Sequence, residues 1–288
     1  MIPQAFFLDC MWPGIIVKFL HNSQENQRAQ IMDTIRIRNV IIGEGIPKIC
    51  IPVTGITAEE ISSQARDAVS AEADIVEWRA DWFEGVFDFT EVDAVLCHLR
   101  SILGDTPLLM TFRSSEEGGE KDIDNDQYAE LNIRAAASGL VDLIDIEVFS
   151  CAISPGSHRD RLIEDIHAHG VRVVGSYHDF CATPSKEEIV RKMIKIQDTG
   201  ADIIKIAVMP HSKADVLTLL EAANEMVTVY AERPVIAVSM GSLGSVSRIA
   251  GEVFGSAVTF GTAGKSSAPG QIDAGELRTA MEILHRAD

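Results

Sequence analysis

Eight short apolar runs recur along the chain, each followed by a stretch with helical spacing. The runs are KICIPV (48–53), DIVEWRAD (74–81), PLLMTFR (107–113), LIDIEV (143–148), RVVGSYHD (172–179), DIIKIAVM (202–209), PVIAVSM (234–240) and SAVTFGT (256–262). Near-continuous apolar runs of this length suit strands covered on both faces, as in a parallel sheet. Parallel neighbours need a crossover, and a helix is the usual one. AEEISSQARDAVSAE, NDQYAELNIRAAASG, SKEEIVRKMIKIQDTG and KADVLTLLEAANEMVTVYAE supply such helices. Gly139, Gly170 and Gly200 mark three helix ends, where glycine tolerates the left-handed turn that stops a helix. Eight repeats at intervals of about thirty residues predict an α/β fold, a (β/α)8 TIM barrel. An open doubly wound sheet is the alternative, but no GxGxxG follows the first strand.

Ahead of the barrel, TIRIRNVIIG and the GEG after it read as a short β-hairpin-like addition. Residues 32–288 are therefore taken as one catalytic domain and residues 1–31 as a flexible N-terminal extension. MIPQAFFLDCMWPGIIVKFL is broken by Pro3, Asp9, Pro13 and Lys18. It lacks a basic start and a small-residue cleavage pattern, and is too interrupted to span a bilayer. Met32 offers an alternative start.

The net charge of −18 argues against nucleic acid and anionic membrane surfaces as partners. An anionic substrate would need local arginines to overcome that general field. Five cysteines, Cys10, Cys50, Cys97, Cys151 and Cys181, form no CxxC pair, which fits a reducing cytoplasm.

A barrel carries its chemistry at the C-terminal ends of its strands. EWRAD ends the second strand, and alternation puts Glu77 and Arg79 on one side, as a charged pair facing a pocket or a surface salt bridge. TFRSSEEGGE supplies Arg113 at a strand end, then Glu116 and Glu117, of which one is expected to be merely solvated. Glu147 either faces the interior functionally or completes an ordinary buried ion pair. His178 in SYHDF is a structural histidine or a proton shuttle; His98, His158, His167, His169, His211 and His285 lie in helical or loop segments.

Lys205 sits inside the apolar run of DIIKIAVMP. Either its stem packs on apolar surface while its head reaches water, or its burial is functional. Desolvation disfavours an ammonium, and a free amine beside a general base attacks a ketone to form a Schiff base. That imine is an electron sink needing no cofactor. Met240 can wall the pocket, and Arg248 opens a helical stretch. The loop with Gly261, Gly264, Ser266, Ser267, Gly270 and Gln271 reads as a phosphate site, a plain connection or a mobile lid. No residue set has metal-ligand spacing.

EWRAD, TFRSSEEGGE, SYHDF, DIIKIAVMP, SVSRIAGEVFGSAVTFG and SAPGQI, in that order, resemble the type I 3-dehydroquinate dehydratases. The resemblance runs from about Thr34 to the C-terminus. It implies a homodimeric barrel hydro-lyase of the shikimate pathway, without cofactor, that converts 3-dehydroquinate to 3-dehydroshikimate. By motif position it makes Lys205 the Schiff-base lysine, His178 the general acid/base and Glu117 the acid that orients it. It gives Arg248 and Gln271 the substrate carboxylate, Ser267 the lid, and Glu77, Arg79 and Arg113 the hydroxyl side. Pro52 stands where relatives commonly carry a small hydroxyl residue, so the resemblance supplies no hydrogen bond there. A Schiff-base aldolase acting on a sugar phosphate is the alternative enzyme, and a non-enzymatic interaction barrel the third reading.

Overall fold

The computed structural model describes residues 33–149, 161–264 and 267–287. The expected extension 1–31, the alternative start at Met32, and Cys10, Cys151, His158 and Ser266 lie outside the described residues.

The eight apolar runs are the eight strands of a curled parallel sheet: β3 (Lys48–Val53), β4 (Ile75–Arg79), β5 (Leu108–Thr111), β6 (Leu143–Glu147), β7 (Arg172–Asp179), β8 (Ile203–Val208), β9 (Val235–Ser239) and β10 (Val258–Thr262). They pair in chain order from β3 to β9, and β10 returns to pair with β3. The barrel closes through one parallel bridge, Val235 to Ser256, where the Ala257 N–H donates to the Val235 carbonyl at 2.7 Å. A ninth strand, β11 (Ile272–Asp273), lies parallel to the end of β10. Sequence periodicity did not anticipate it, because two residues carry no alternation.

Helices wrap the outside: α1 (Ala58–Ser70), α2 (Phe89–Leu103), α3 (Asn125–Ala137), α4 (Leu162–Ala168), α5 (Lys186–Asp198), α6 (Lys213–Glu225), the short α7 (Val246–Ile249) and α8 (Gly251–Phe254), and α9 (Ala274–His285). Thr57, Asp88, Asp124, Ser185, Ser212 and Asp273 cap their N-termini by accepting backbone N–H groups. Gly139, Gly170 and Gly200 follow three of the helices with φ of 68°, 78° and 87°. Outward-facing strand residues such as Trp78, Met110, Ile144 and Ile204 pack with Leu96, Leu99 and Ile189 into the main core. No described helix is long and apolar enough to cross a membrane.

The hairpin expected near the N-terminus is β1 (Ile35–Ile37) paired antiparallel with β2 (Val40–Ile42). Its Ile35, Ile37 and Ile42 join Cys50, Ile75, Leu109, Leu143, Val174, Ile203 and Ile236 in a second apolar cluster. These barrel residues lie at the starts of their strands, so the hairpin plugs the floor. Two residues further along five of these strands the interior turns polar, with Glu77, Thr111, Asp145, Ser176 and Lys205 all buried. Buried polar groups at this density must satisfy one another.

Candidate active site

Lys205 is 5% exposed and does not reach out to water. Its Nζ donates to Asp145 Oδ2 at 3.1 Å, lies 3.6 Å from Glu77 Oε1 and sits 4.6 Å from the centroid of the Phe260 ring. Asp145 also accepts from Arg113 Nη2 at 2.8 Å and from the Ser176 hydroxyl at 2.6 Å. Burial pushes the Asp145 carboxyl up, but Arg113, Lys205 and the Ser176 hydroxyl outweigh it and hold it below the usual range.

Arg113 ties the polar layer together. Its Nη1 donates to Glu147 at 3.0 Å and to Ser176 at 3.1 Å, and lies 3.5 Å from Glu117. Burial alone would lower its pKa, but Asp145, Glu147 and Glu117 raise it well above the ordinary value. Glu147 also accepts from the Ser114 N–H at 2.8 Å and hydroxyl at 2.7 Å. The ion-pair reading of Glu147 is thus the one realised. Arg113 lines the cavity, yet most of its donors are committed to protein carboxylates.

EWRAD differs from expectation. Arg79 does not pair with Glu77. Asp81 takes it in a two-pronged contact, Nε to Oδ1 and Nη2 to Oδ2, both at 2.8 Å. Glu77 instead accepts the Thr111 hydroxyl at 2.8 Å and faces Lys205. Asp81, two residues on from Arg79, lies in a single turn of 3₁₀ helix that brings its carboxylate back over the strand end. Strand alternation does not anticipate such a turn.

His178 and Glu117 meet at the mouth. Glu117 Oε2 lies 3.0 Å from Nδ1 of His178 and accepts the His178 backbone N–H at 2.9 Å. With Oε2 accepting, Nδ1 carries the hydrogen and Nε2 keeps its lone pair; this tautomer is assigned from the hydrogen-bond network. Burial, then Arg113, Lys205 and Arg79, lower the His178 pKa well below 6.5. Burial also pushes Glu117 up to about 8, against the pull of Arg113. Its Oε1 is buried without a partner among the described residues. Of the two loop acids, Glu116 is exposed and Glu117 buried. Phe180 stacks on the imidazole at 6.5 Å and 22°, and covers Gly118, where a built Cβ would meet the ring at 2.4 Å.

Across the cavity stands Arg248, 2% exposed. Among the described residues its Nη1 and Nη2 donate only to the Phe260 and Pro269 carbonyls, at 3.3 and 3.2 Å, and its Nε finds no partner. Neither of these partners is a carboxylate, and burial pulls its pKa down to about 10. A buried guanidinium without a counter-ion is a seat for an anion. Beside it, Ser267 N–H donates to Gln271 Oε1 at 2.8 Å and Gln271 Nε2 donates to Ser267 Oγ at 3.0 Å.

One cavity gathers these groups. It encloses about 690 Å³, including its open mouth, and is lined by Glu77, Arg79, Arg113, His178, Lys205, Arg248, Ser267 and Gln271, with Glu117 behind His178. Met240 is among its walls, as are Trp82, Glu120, Phe180 and Phe260, which sequence reasoning passed over. Pro52 is buried in register with Glu77 and brings no donor. Among the described residues no group of His, Cys, Asp or Glu is arranged to hold a metal ion.

The family model for type I 3-dehydroquinase matches residues 49–288. The chain belongs to that family. A 3-dehydroquinate dehydratase of Listeria monocytogenes is 49% identical over 257 residues, covering 88% of this chain and 99% of the relative. One from Bacillus licheniformis is 50% identical over 252 residues, covering 88% of this chain and 98% of the relative. Among solved structures, a type I 3-dehydroquinate dehydratase of Clostridium difficile with covalent modified comenic acid superposes with a TM-score of 0.84. It is 47% identical and covers 90% of this chain and all of that one. Membership in the type I 3-dehydroquinases displaces the sugar-phosphate aldolase and the non-enzymatic barrel as readings of this cavity.

Proposed function

We infer that this chain dehydrates 3-dehydroquinate to 3-dehydroshikimate, a step of the shikimate pathway, through an imine on Lys205. One observation carries the reading: a buried amine, an imidazole whose Nδ1 is held by Glu117, and a guanidinium with no carboxylate partner among the described residues share a single cavity. The Lys205 amine adds to the substrate ketone, and the resulting carbinolamine loses water to give an imine. The protonated imine withdraws electrons from the adjacent carbon. His178 Nε2 takes the proton from that carbon and returns it to the departing hydroxyl, which leaves as water. Water then hydrolyses the imine, freeing the enone and Lys205. Acid–base help of this kind is typically worth ~10²–10⁴-fold. Arg248 holds the substrate carboxylate, with Ser267 and Gln271 closing over it. Glu77 and Arg79 face the hydroxyl groups, and Arg113 supports that side through the carboxylates it binds. The covalent modified comenic acid of the C. difficile relative fits a site built around a nucleophile. The test is the appearance of the conjugated enone, followed by ultraviolet absorbance in a purified sample given 3-dehydroquinate; a sample with no turnover overturns the reading.

The reading extends to a homodimer acting in the cytoplasm with residues 32–288 as its catalytic domain. Free Cys50, Cys97 and Cys181 fit a reducing compartment. About 88% of this chain covers nearly all of the relatives' length, which supports the domain division. A chain starting at Met32 is expected to keep full kcat and KM, and light scattering on it reports two copies. Loss of turnover on that truncation would give residues 1–31 a catalytic part.

The loop after β10 supplies a further prediction. Gly241 N–H donates to the Pro269 carbonyl at 3.0 Å, and Gly270 has φ of 78° with a built Cβ only 2.1 Å from the Gly241 carbonyl oxygen. Gly270→Ala therefore lifts this loop, and Gln271 with it, off Arg248. KM is expected to rise about tenfold, equivalent to ~1.4 kcal/mol of binding, with kcat changed less. Steady-state kinetics check this, and an unchanged KM removes the loop from carboxylate binding.

A further inference from the structure

We propose that Tyr128 is a positioning residue of this site: its hydroxyl stands in for a missing strand residue and holds the two carboxylates of β6 in place. The proposal rests on the imine reading above. The β5–β6 ladder runs Leu109 to Leu143, Met110 to Ile144 and Thr111 to Asp145, and there it stops. Beyond Thr111 the chain of β5 turns toward β4, where the Arg113 N–H donates to Asp81 at 3.3 Å. Had the pairing continued, Phe112 would lie opposite Ile146. In a parallel ladder such a residue donates its N–H to the carbonyl before its partner and accepts the N–H after it.

Tyr128 of α3 makes both of those bonds with one oxygen. Its hydroxyl donates to the Asp145 carbonyl at 3.3 Å and accepts the Glu147 N–H at 3.2 Å. The opposite edge of β6 is already used by β7, as in the Val148 N–H to Ser176 carbonyl bond at 3.0 Å. The ring is fully buried and meets Phe112 edge-on at 6.3 Å. The break in the ladder opens room for the side chains of Arg113 and Ser114 to reach Asp145 and Glu147. Left unsupported, that break would also free the backbone whose side chain aims the Lys205 amine. Tyr128 keeps the opening without the slack, so its influence on the reaction passes through Asp145 to Lys205.

Tyr128→Phe keeps the ring and deletes only the hydroxyl. The expected result is a kcat lower by about 10-fold or more, toward the ~10²-fold that a 1 Å misplacement can cost. KM stays unchanged, because Arg248, Ser267 and Gln271 are untouched. Borohydride trapping of the imine slows by the same factor as kcat. Arg134→Ala on the same helix breaks the exposed pair with Asp93 at 2.7 Å and serves as the control; it lowers Tm without moving kcat. The chain has three tyrosines, so in a Tyr177→Phe, Tyr230→Phe background Tyr128 is the sole one. There, replacing tyrosine by 3-fluorotyrosine strengthens the hydroxyl as donor and weakens it as acceptor, and is expected to change kcat at constant KM. This arm decides the matter if Tyr128→Phe fails to fold. A kcat that stays at the wild-type value in the folded Phe variant, or in the fluorotyrosine protein, overturns the proposal. A wild type inactive on 3-dehydroquinate overturns the functional reading instead.

Discussion

Lys205→Met is expected to abolish turnover of 3-dehydroquinate while leaving a folded protein that still binds it. The fall is on the order of 10⁶-fold, the size seen when an obligatory nucleophile is removed. Folding survives because both carboxylates that face the amine keep other donors. Asp145 retains Arg113 and the Ser176 hydroxyl, and Glu77 retains the Thr111 hydroxyl. Breaking a buried pair costs ~3–5 kcal/mol when a charge is left uncompensated; here Asp145 keeps the Arg113 guanidinium and Glu77 keeps a hydroxyl donor and opens onto the cavity. Binding survives because the Arg248 guanidinium stands on the opposite wall and makes no contact with Lys205. The measurement pairs steady-state kinetics with borohydride reduction and peptide mass spectrometry. Wild-type protein should carry one substrate-derived mass on the peptide containing Lys205, and the methionine variant none. An active methionine variant, or an active wild type that never traps, would remove the imine from the mechanism.

Local pattern carried the sequence reading far for the scaffold and less far for the network inside it. Strand bounds such as Lys48–Val53 and Arg172–Asp179 match the apolar runs residue for residue, since burial on both faces is written directly into composition. PLLMTFR overran its strand by two residues, which ends at Thr111. What ends it is a distant carboxylate, Asp81, accepting the Arg113 N–H; no local signal reports that. Lys205 stood out because a lysine violates its apolar surroundings. Asp145 lies on the same face of β6 as Glu147 and contacts Lys205 directly, yet alternation within LIDIEV drew attention only to the residue nearer the strand end. Tyr128 was invisible for a deeper reason. A tyrosine on an amphipathic helix is ordinary core, and its meaning depends on a gap between two strands that the sequence never displays. The same holds for Arg248, whose lack of a carboxylate partner among the described residues is a fact of three-dimensional surroundings.

For His178→Ala, kcat is expected to fall by ~10²–10⁴-fold, the usual worth of a positioned acid–base group, while the imine still forms. The distinction follows from geometry. The Lys205 amine is set by Asp145 and Glu77, whereas His178 is set separately by Glu117. Deleting the imidazole therefore leaves the nucleophile intact and stalls the reaction after it has bonded to substrate. Borohydride should trap as much adduct in the alanine variant as in wild type, or more, because the intermediate accumulates. The pH dependence supplies an independent check. A general base works only when neutral, and burial together with Arg113, Lys205 and Arg79 holds this imidazole neutral well below pH 6.5. As pH falls, wild-type kcat/KM should thus survive past 6.5 before the histidine protonates and activity is lost. In the alanine variant that acid limb disappears from the residual rate. A variant with full turnover would move the proton transfer to another group and leave His178 as a wall of the cavity, whereas one that loses the trapped adduct along with turnover would place the imidazole in forming the imine.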